Sequence, residues 1–213
     1  MNTTSYIAEL LLQSKAIILQ PASPFTWASG WKSPIYCDNR KTLSFPEIRK
    51  AIRDAYRDSI RSNFDSPDII AGVATGAIAQ GALVAELMNL PFIYIRSSAK
   101  GHGMQNLIEG YYEAGQKVVV IEDLISTGGS SLKAVDALLE AGCKVLGMVA
   151  TFTYGFKESE TRFKEYNLNV HTLTNYDTML NQALEKMYIT EDQLPLLRKW
   201  RDNPSAWLEN NLE

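Results

Sequence analysis

Between residues 69 and 173 short apolar runs alternate with helical stretches, and this alternation constrains the fold more than any other property of the chain. Runs at 69–73, 92–95, 118–121, 145–152 and 170–173 have strand length and β-branched content. Helical stretches occupy 77–88, 130–140 and 157–166 between or after them. Successive strand–helix–strand units imply right-handed crossovers. The expected architecture is α/β: a mostly parallel five-stranded sheet with helices on both faces. Val118 to Ile121 are all apolar, without alternation, as in a strand buried on both sides. Ligands of such sheets bind at the carboxyl ends of the strands.

The bulk numbers narrow the class. A chain of 213 residues with 46% hydrophobic and 21% charged residues suits one domain, 1–213, with a core over about 65–175. A net charge of −3 argues against a broad nucleic-acid face. Met1 to Tyr6 is polar, without the apolar stretch of a signal peptide, and no apolar run reaches transmembrane length. Cys37 and Cys143 stand far apart, in neither metal spacing nor a disulfide framework. A reducing cytoplasm is therefore expected, with no membrane partner.

Outside the alternation, 5–14 reads as a short amphipathic helix through Ile7, Leu10 and Leu11. The aromatic-rich stretch 25–38, broken at Ser29-Gly30, reads as a hairpin. Ser44 to Glu47 suits the cap and first turn of a helix running to about Phe64. Near the C-terminus, Asn203 before Pro204 suits a helix start, and Trp200 and Trp207 suit packing.

The chemistry concentrates at 118–130. Glu122 and Asp123 follow the apolar run, and Ser126-Thr127-Gly128-Gly129-Ser130 leads into a helix. Glycines let backbone approach a ligand, and successive N–H groups, hydroxyls and a helix N-terminus together attract a dianion. The loop has no lysine, which rules out a Walker A P-loop. A Gly-rich corner alone is also compatible with an ordinary strand–turn–helix; the acid pair ahead of it favours a ligand. Adjacent strand residues face opposite ways, so Glu122 and Asp123 converge only if the chain turns there. Their repulsion needs hydroxyl donors or a cation, and a sugar diol with Mg²⁺ supplies both.

This segment resembles the phosphoribosyl-pyrophosphate (PRPP) motif of type I phosphoribosyltransferases. Residues 25–36, F-T-W-A-S-G-W-K-S-P-I-Y, resemble the N-terminal hairpin of the orotate phosphoribosyltransferase family. Arg96 to Gly103, R-S-S-A-K-G-H-G, with Ile108-Glu109-Gly110 after it, resembles that family's mobile loop. The likeness spans roughly residues 5–180. It implies the type I phosphoribosyltransferase fold, with a hood from residues 1–40 plus the C-terminal part. It further implies a homodimer whose mobile loops close over the partner's site.

Site residues follow from the same resemblance. PRPP would be held by Arg96, Lys100, His102, Glu122, Asp123, Leu124, Ile125, Ser126, Thr127, Gly128, Gly129 and Ser130. The turn Ala74, Thr75, Gly76 would face pyrophosphate, although an ordinary strand-to-helix turn fits it equally well. Orotate would meet Ser126, Phe25, Ser29 and Tyr36. Asp123, Lys100 and His102 would carry the catalysis, the loop cations lying without neighbouring acids in sequence. Mg²⁺ would be held mainly by PRPP and water, near Glu122 and Asp123. Four basic residues common among relatives are replaced here, at Ala28, in Ala74-Thr75, at Ser97, and in the stretch 151–154; backbone amides, Lys32 and Arg40 are the candidates for the partner of orotate's carboxylate. Two alternatives carry the same PRPP motif. One is a phosphoribosyltransferase for a purine or other base; the other is a non-catalytic PRPP-sensing regulator, which the acidic net charge disfavours.

Overall fold

Asn2 starts the first helix: its side chain accepts the Ser5 backbone N–H at 2.8 Å. In the computed structural model, which describes residues 2–26, 30, 32–98 and 107–204, α1 (Thr3–Gln13) then buries Ile7, Leu10 and Leu11. Two nested antiparallel pairs follow. β1 (Ile17–Leu19) pairs with β4 (Ile35–Cys37), and between them β2 (Phe25–Thr26) pairs with β3 (Lys32–Ser33). Thus 25–38 does form a hairpin, although its inner strands are only two residues long.

A 3₁₀ helix (Asn39–Ser44) leads into α2 (Pro46–Asn63). Ser44 is not its cap, contrary to expectation. It closes the 3₁₀ turn, and Phe45 takes the N-cap position without a side-chain hydrogen bond. Pro46 does open the helix, its fixed φ suiting the first turn. Ile52, Ala55, Tyr56 and Ile60 form the buried stripe of α2.

The alternating region gives β5 (Ile69–Val73), α3 (Ile78–Met88), β6 (Phe92–Ile95), β7 (Ile108–Glu109), β8 (Lys117–Ile125), α4 (Gly129–Glu140), β9 (Lys144–Thr153), α5 (Lys157–Glu165) and β10 (Val170–Asn175). α6 (Tyr176–Glu185) and α7 (Leu194–Asp202) complete the described chain. Asn203 is the C-cap of α7, whose apolar stripe runs through Leu197 and Trp200; the helix expected to start at Asn203 and Pro204, with Trp207, lies outside the described residues.

The main sheet runs β10-β9-β8-β5-β6-β7 and is parallel except for β6–β7. It therefore has six strands, not five. β7 adds two residues to the edge, too few to leave a period in the sequence. Side chains of each central strand alternate between two cores. Val119 and Ile121 join the core under α1, α2, α6 and α7, whereas Val118 and Val120 join the one under α4. The strand order reverses between β5 and β8, and the crevice at their carboxyl ends is a topological switch point.

Candidate active site

Two loops leave the switch point. After β8, Gly128 adopts φ +80°, a left-handed conformation that glycine tolerates at little cost, and serves as the N-cap of α4. A Cβ there would also sit 3.0 Å from the Phe163 ring. No side chain caps α4 and no acid lies in its first turn. Its leading N–H groups therefore lack helical acceptors and meet the positive end of the helix dipole. Gly129 and Ser130 are exposed, Ser126 and Thr127 half-buried, and the Ile125 side chain is in the core. This terminus suits a phosphate.

The acids lie on strand, not in a turn. β8 keeps its pairing with β9 through Glu122↔Ala150, Leu124↔Phe152 and Ile125↔Thr153, so the turn that would make the two carboxylates converge is absent. Their environments diverge instead. Glu122 is buried at 3% exposure; its carboxylate accepts from Ser131 Oγ at 2.8 Å and from the Asp123 N–H at 3.0 Å. Asp123 is half-buried and lies against Gly76, where any Cβ would collide with its carboxylate. The glycine in the second loop, 74–76, therefore makes room for Asp123. Burial, then the charge of Asp123, pushes the Glu122 carboxyl well above the usual range. Burial also raises Asp123, while hydrogen bonds from Glu122 and the backbone and the Arg40 charge hold it down. Burial of the pair and the repulsion between them thus favour taking up a proton, while the Arg40 charge acts on the Asp123 side alone.

Three hydrogen bonds fix this pair from outside the motif. Asn39 Nδ2 donates to the Asp123 carbonyl at 2.6 Å, and the Tyr56 hydroxyl donates to the Glu122 carbonyl at 2.6 Å. Thr151 lies 2.6 Å from the same hydroxyl. A phenol has one proton, so Thr151 is the donor in that contact. Neither Asn39 nor Tyr56 was legible as a site residue. Asn39 follows the hairpin without a motif, and Tyr56 looks like one more core position of α2.

The turn Ala74, Thr75, Gly76 lies beside β8, with its Ala74–Thr75 peptide cis and the Ala74 N–H bonded to Ile95 O at 2.8 Å. Arg96 departs from expectation: its guanidinium does have an acidic neighbour, Glu109 on β7, at 3.1 Å. Pairing of β6 with β7 brings the two together from 13 residues apart. Lys100 and His102 lie outside the described residues. A further cation, Lys133 on α4, donates to Ser97 O at 2.7 Å, where the same segment begins.

On the hairpin, the Phe25 and Tyr36 rings pack 5.6 Å apart, and Lys41 Nζ stands 5.6 Å from the Tyr36 ring. Ser29 lies outside the described residues. Lys32 donates to Thr26 Oγ1 at 2.7 Å, and Arg40 pairs with Asp38 at 2.7 Å. Arg40 remains largely exposed. Tyr154, in the stretch where relatives often carry an arginine, is buried in an aromatic cluster.

Residues 41–178 match the family model described as a phosphoribosyl transferase domain. The chain is 60% identical over 200 residues to the orotate phosphoribosyltransferase of Phocaeicola vulgatus, covering 94% of each chain. It is 56% identical over 207 residues to that of Cytophaga hutchinsonii, covering 97% of this chain and 99% of the relative. Among solved structures, UMP synthase of Leishmania donovani superposes with TM-score 0.78 at 27% identity, over 93% of this chain and 43% of that one. The adenine phosphoribosyltransferase of Leishmania tarentolae superposes with TM-score 0.62 at 21% identity, over 84% of this chain and 91% of that one. The fold alone therefore does not select the base.

Proposed function

The chain belongs to the orotate phosphoribosyltransferase family and transfers the 5-phosphoribosyl group of PRPP to orotate, and we propose how its residues divide that work. The ring nitrogen of orotate forms a bond to C1 of the ribose as the bond from C1 to pyrophosphate breaks, giving orotidine 5′-monophosphate and pyrophosphate in UMP synthesis. The observation that carries the assignment is the uncapped, acid-free N-terminus of α4 facing the same crevice as the Asp123–Gly76 contact.

In this reading the 5-phosphate sits on residues 124–130. Leu124 and Ile125 contribute backbone, Ser126, Thr127 and Ser130 hydroxyls, and Gly128 and Gly129 close approach. Asp123 faces the ribose and offsets the positive charge that builds on the ring as pyrophosphate departs. Glu122, buried and turned toward Ser131, mainly holds the β8–α4 junction. Backbone amides of Thr75 and Gly76 face pyrophosphate, whereas the Ala74 N–H is held by Ile95 O and Ala74 only shapes the turn. Arg96, Lys100 and His102 meet the charge growing on it, with Arg96 shared between ligand and Glu109. Ser126, Ser29, Phe25 and Tyr36 receive orotate, the two rings stacking on the pyrimidine.

Mg²⁺ enters with PRPP as part of the substrate. Among the described residues no three His, Cys, Asp or Glu side chains form a metal cage. Of the two acids, the half-buried Asp123 carboxylate fits an ion that keeps its phosphate oxygens and waters. When bound, the ion would neutralise leaving-group charge. The chain works as a homodimer in the cytoplasm, each 96–103 loop closing over its partner's site. Among the described residues no helix is long and apolar enough to cross a membrane.

A substrate panel tests the assignment. With PRPP and Mg²⁺, orotate is consumed and uracil, adenine, guanine and xanthine are not. Turnover of a purine in place of orotate would overturn the choice of base. Well-folded protein that gives no calorimetric response to PRPP with Mg²⁺ would overturn the whole site.

A further inference from the structure

The hairpin proposed to cover the base is too small to hold itself. β2 and β3 contribute two residues each, and two-stranded ribbons of that size are at best marginal in water. Among the described residues its contacts include Lys32 Nζ to Thr26 Oγ1 at 2.7 Å across the strands, Ser33 Oγ to Ile35 O at 2.8 Å, and the Phe25 and Tyr36 rings 5.6 Å apart. A contact from far along the chain reaches it. Trp200 of α7 donates its indole N–H to the Lys32 carbonyl on β3 at 3.2 Å, across 168 residues.

Trp200 is completely buried, so its N–H must find an acceptor inside the protein or remain unpaired at a cost. Its ring is held on several sides. Tyr154 packs at 5.6 Å, Phe156 at 5.8 Å and Tyr176 at 5.8 Å. The Tyr176 hydroxyl in turn donates to Leu197 O of α7 at 3.0 Å. Tyr154 belongs to the segment leaving β9, and its N–H bonds to Ile125 O at 3.1 Å, at the start of the phosphate loop. One aromatic cluster thus joins the end of β8, the starts of the segments after β9 and β10, and the hairpin.

From this geometry we infer that Trp200 is a positioning residue for the base subsite: through Lys32 O it sets where the hairpin stands relative to the phosphate loop. The inference rests on the reading of the hairpin as the base hood. Trp200 touches no reacting atom. Its effect appears in orotate binding, because the phosphate loop and Asp123 keep their own supports from α2, α4 and β9.

The test compares Trp200→Phe, which keeps one aromatic ring but removes the N–H donor together with part of the indole's packing volume, with Val118→Ala, a core truncation at the far end of β8 that controls for lost packing. Steady-state constants for both substrates, PRPP calorimetry and melting temperature are measured for each. Trp200→Phe should raise KM for orotate about three- to ten-fold, the size expected for one hydrogen bond. Its KM and Kd for PRPP should stay within about two-fold of the parent. Val118→Ala should lower the melting temperature and leave orotate KM in place. An unchanged orotate KM in Trp200→Phe would overturn the inference. So would orotate and PRPP constants that deteriorate together in step with melting temperature. Trp200→Ala, with the ring removed too, should widen the orotate-specific loss; a loss no larger than in Trp200→Phe would leave the cluster without the assigned role. Phe25→Ala and Tyr36→Ala separate the two claims. If neither moves orotate KM, the hood reading fails and this inference with it. If they move it and Trp200→Phe does not, only the positioning role fails.

Discussion

The two halves of the site are built in opposite ways. The phosphate half stands on β8, nine residues long and parallel-paired on both sides, with the loop and α4 following directly. The base half stands on a hairpin of two-residue strands, pinned by Trp200 from the other end of the chain. The first recognises a doubly charged group, which a helix N-terminus and small residues supply from a dozen consecutive positions. The second must recognise shape and a polar edge, which takes side chains from separated segments. Anion chemistry can be written locally; selection of a base has to be assembled.

Asp123→Asn breaks the phosphate half hardest. It should lower kcat about 10²–10³-fold, in the range for lost transition-state electrostatic contacts, while circular dichroism and melting stay near the parent. Near-normal turnover would remove Asp123 from the chemistry. Mixing this variant with Lys100→Ala should restore part of the activity through hybrid dimers. Hybrids that form and stay inactive would refute sharing of the 96–103 loop between subunits.

Tyr56→Phe probes the buried support of the same half and should show a smaller, mainly structural effect. Burial holds the Tyr56 phenol well above its ordinary range, so it remains a donor at working pH. Its removal strands the Glu122 carbonyl and the Thr151 hydroxyl, at a cost of about 1–3 kcal/mol. Thermal unfolding should shift by about 2–4 °C for each kcal/mol lost. A melting point equal to the parent's would mean that these groups find other partners.

Glu122→Gln sharpens the contrast between the two acids with the smallest effect. The Glu122 carboxyl is raised in the folded state by burial and by Asp123. As pH rises from the ordinary glutamate range toward that raised value, the unfolded chain loses its proton first. Stability therefore falls with pH across that window, and the cost is fully present above it. The glutamine variant lacks this term. Its melting temperature relative to the parent should improve from pH 4 to pH 8. Parallel pH–melting curves would show that Glu122 is not the group held protonated.

Much of the fold could be read in advance because burial on both faces of a parallel strand leaves uninterrupted apolar runs. Residues 69–73 and 92–95 form strands with the expected bounds. β8 was expected to stop at the acids, where its apolar run ends. Pairing with β9 carries the strand on to Ile125. The edge strand β7 was invisible for the opposite reason: two residues carry no period. Arg96 read as an unpaired cation because its acidic neighbour, Glu109, comes from that unseen strand.

From the order of residues alone came the parallel sheet, the anion loop with its two carboxylates, and the likeness to a family that handles PRPP. These are local properties, set by apolar runs, glycine placement and charge within short windows. Only the tertiary structure separated the two acids, seating Glu122 on Ser131 and Asp123 against Gly76. It alone brought Asn39 and Tyr56 under the motif and Trp200 onto the hairpin. Burial and hydrogen-bond partners depend on which segments the fold places side by side, and no short window of sequence contains both members of those pairs.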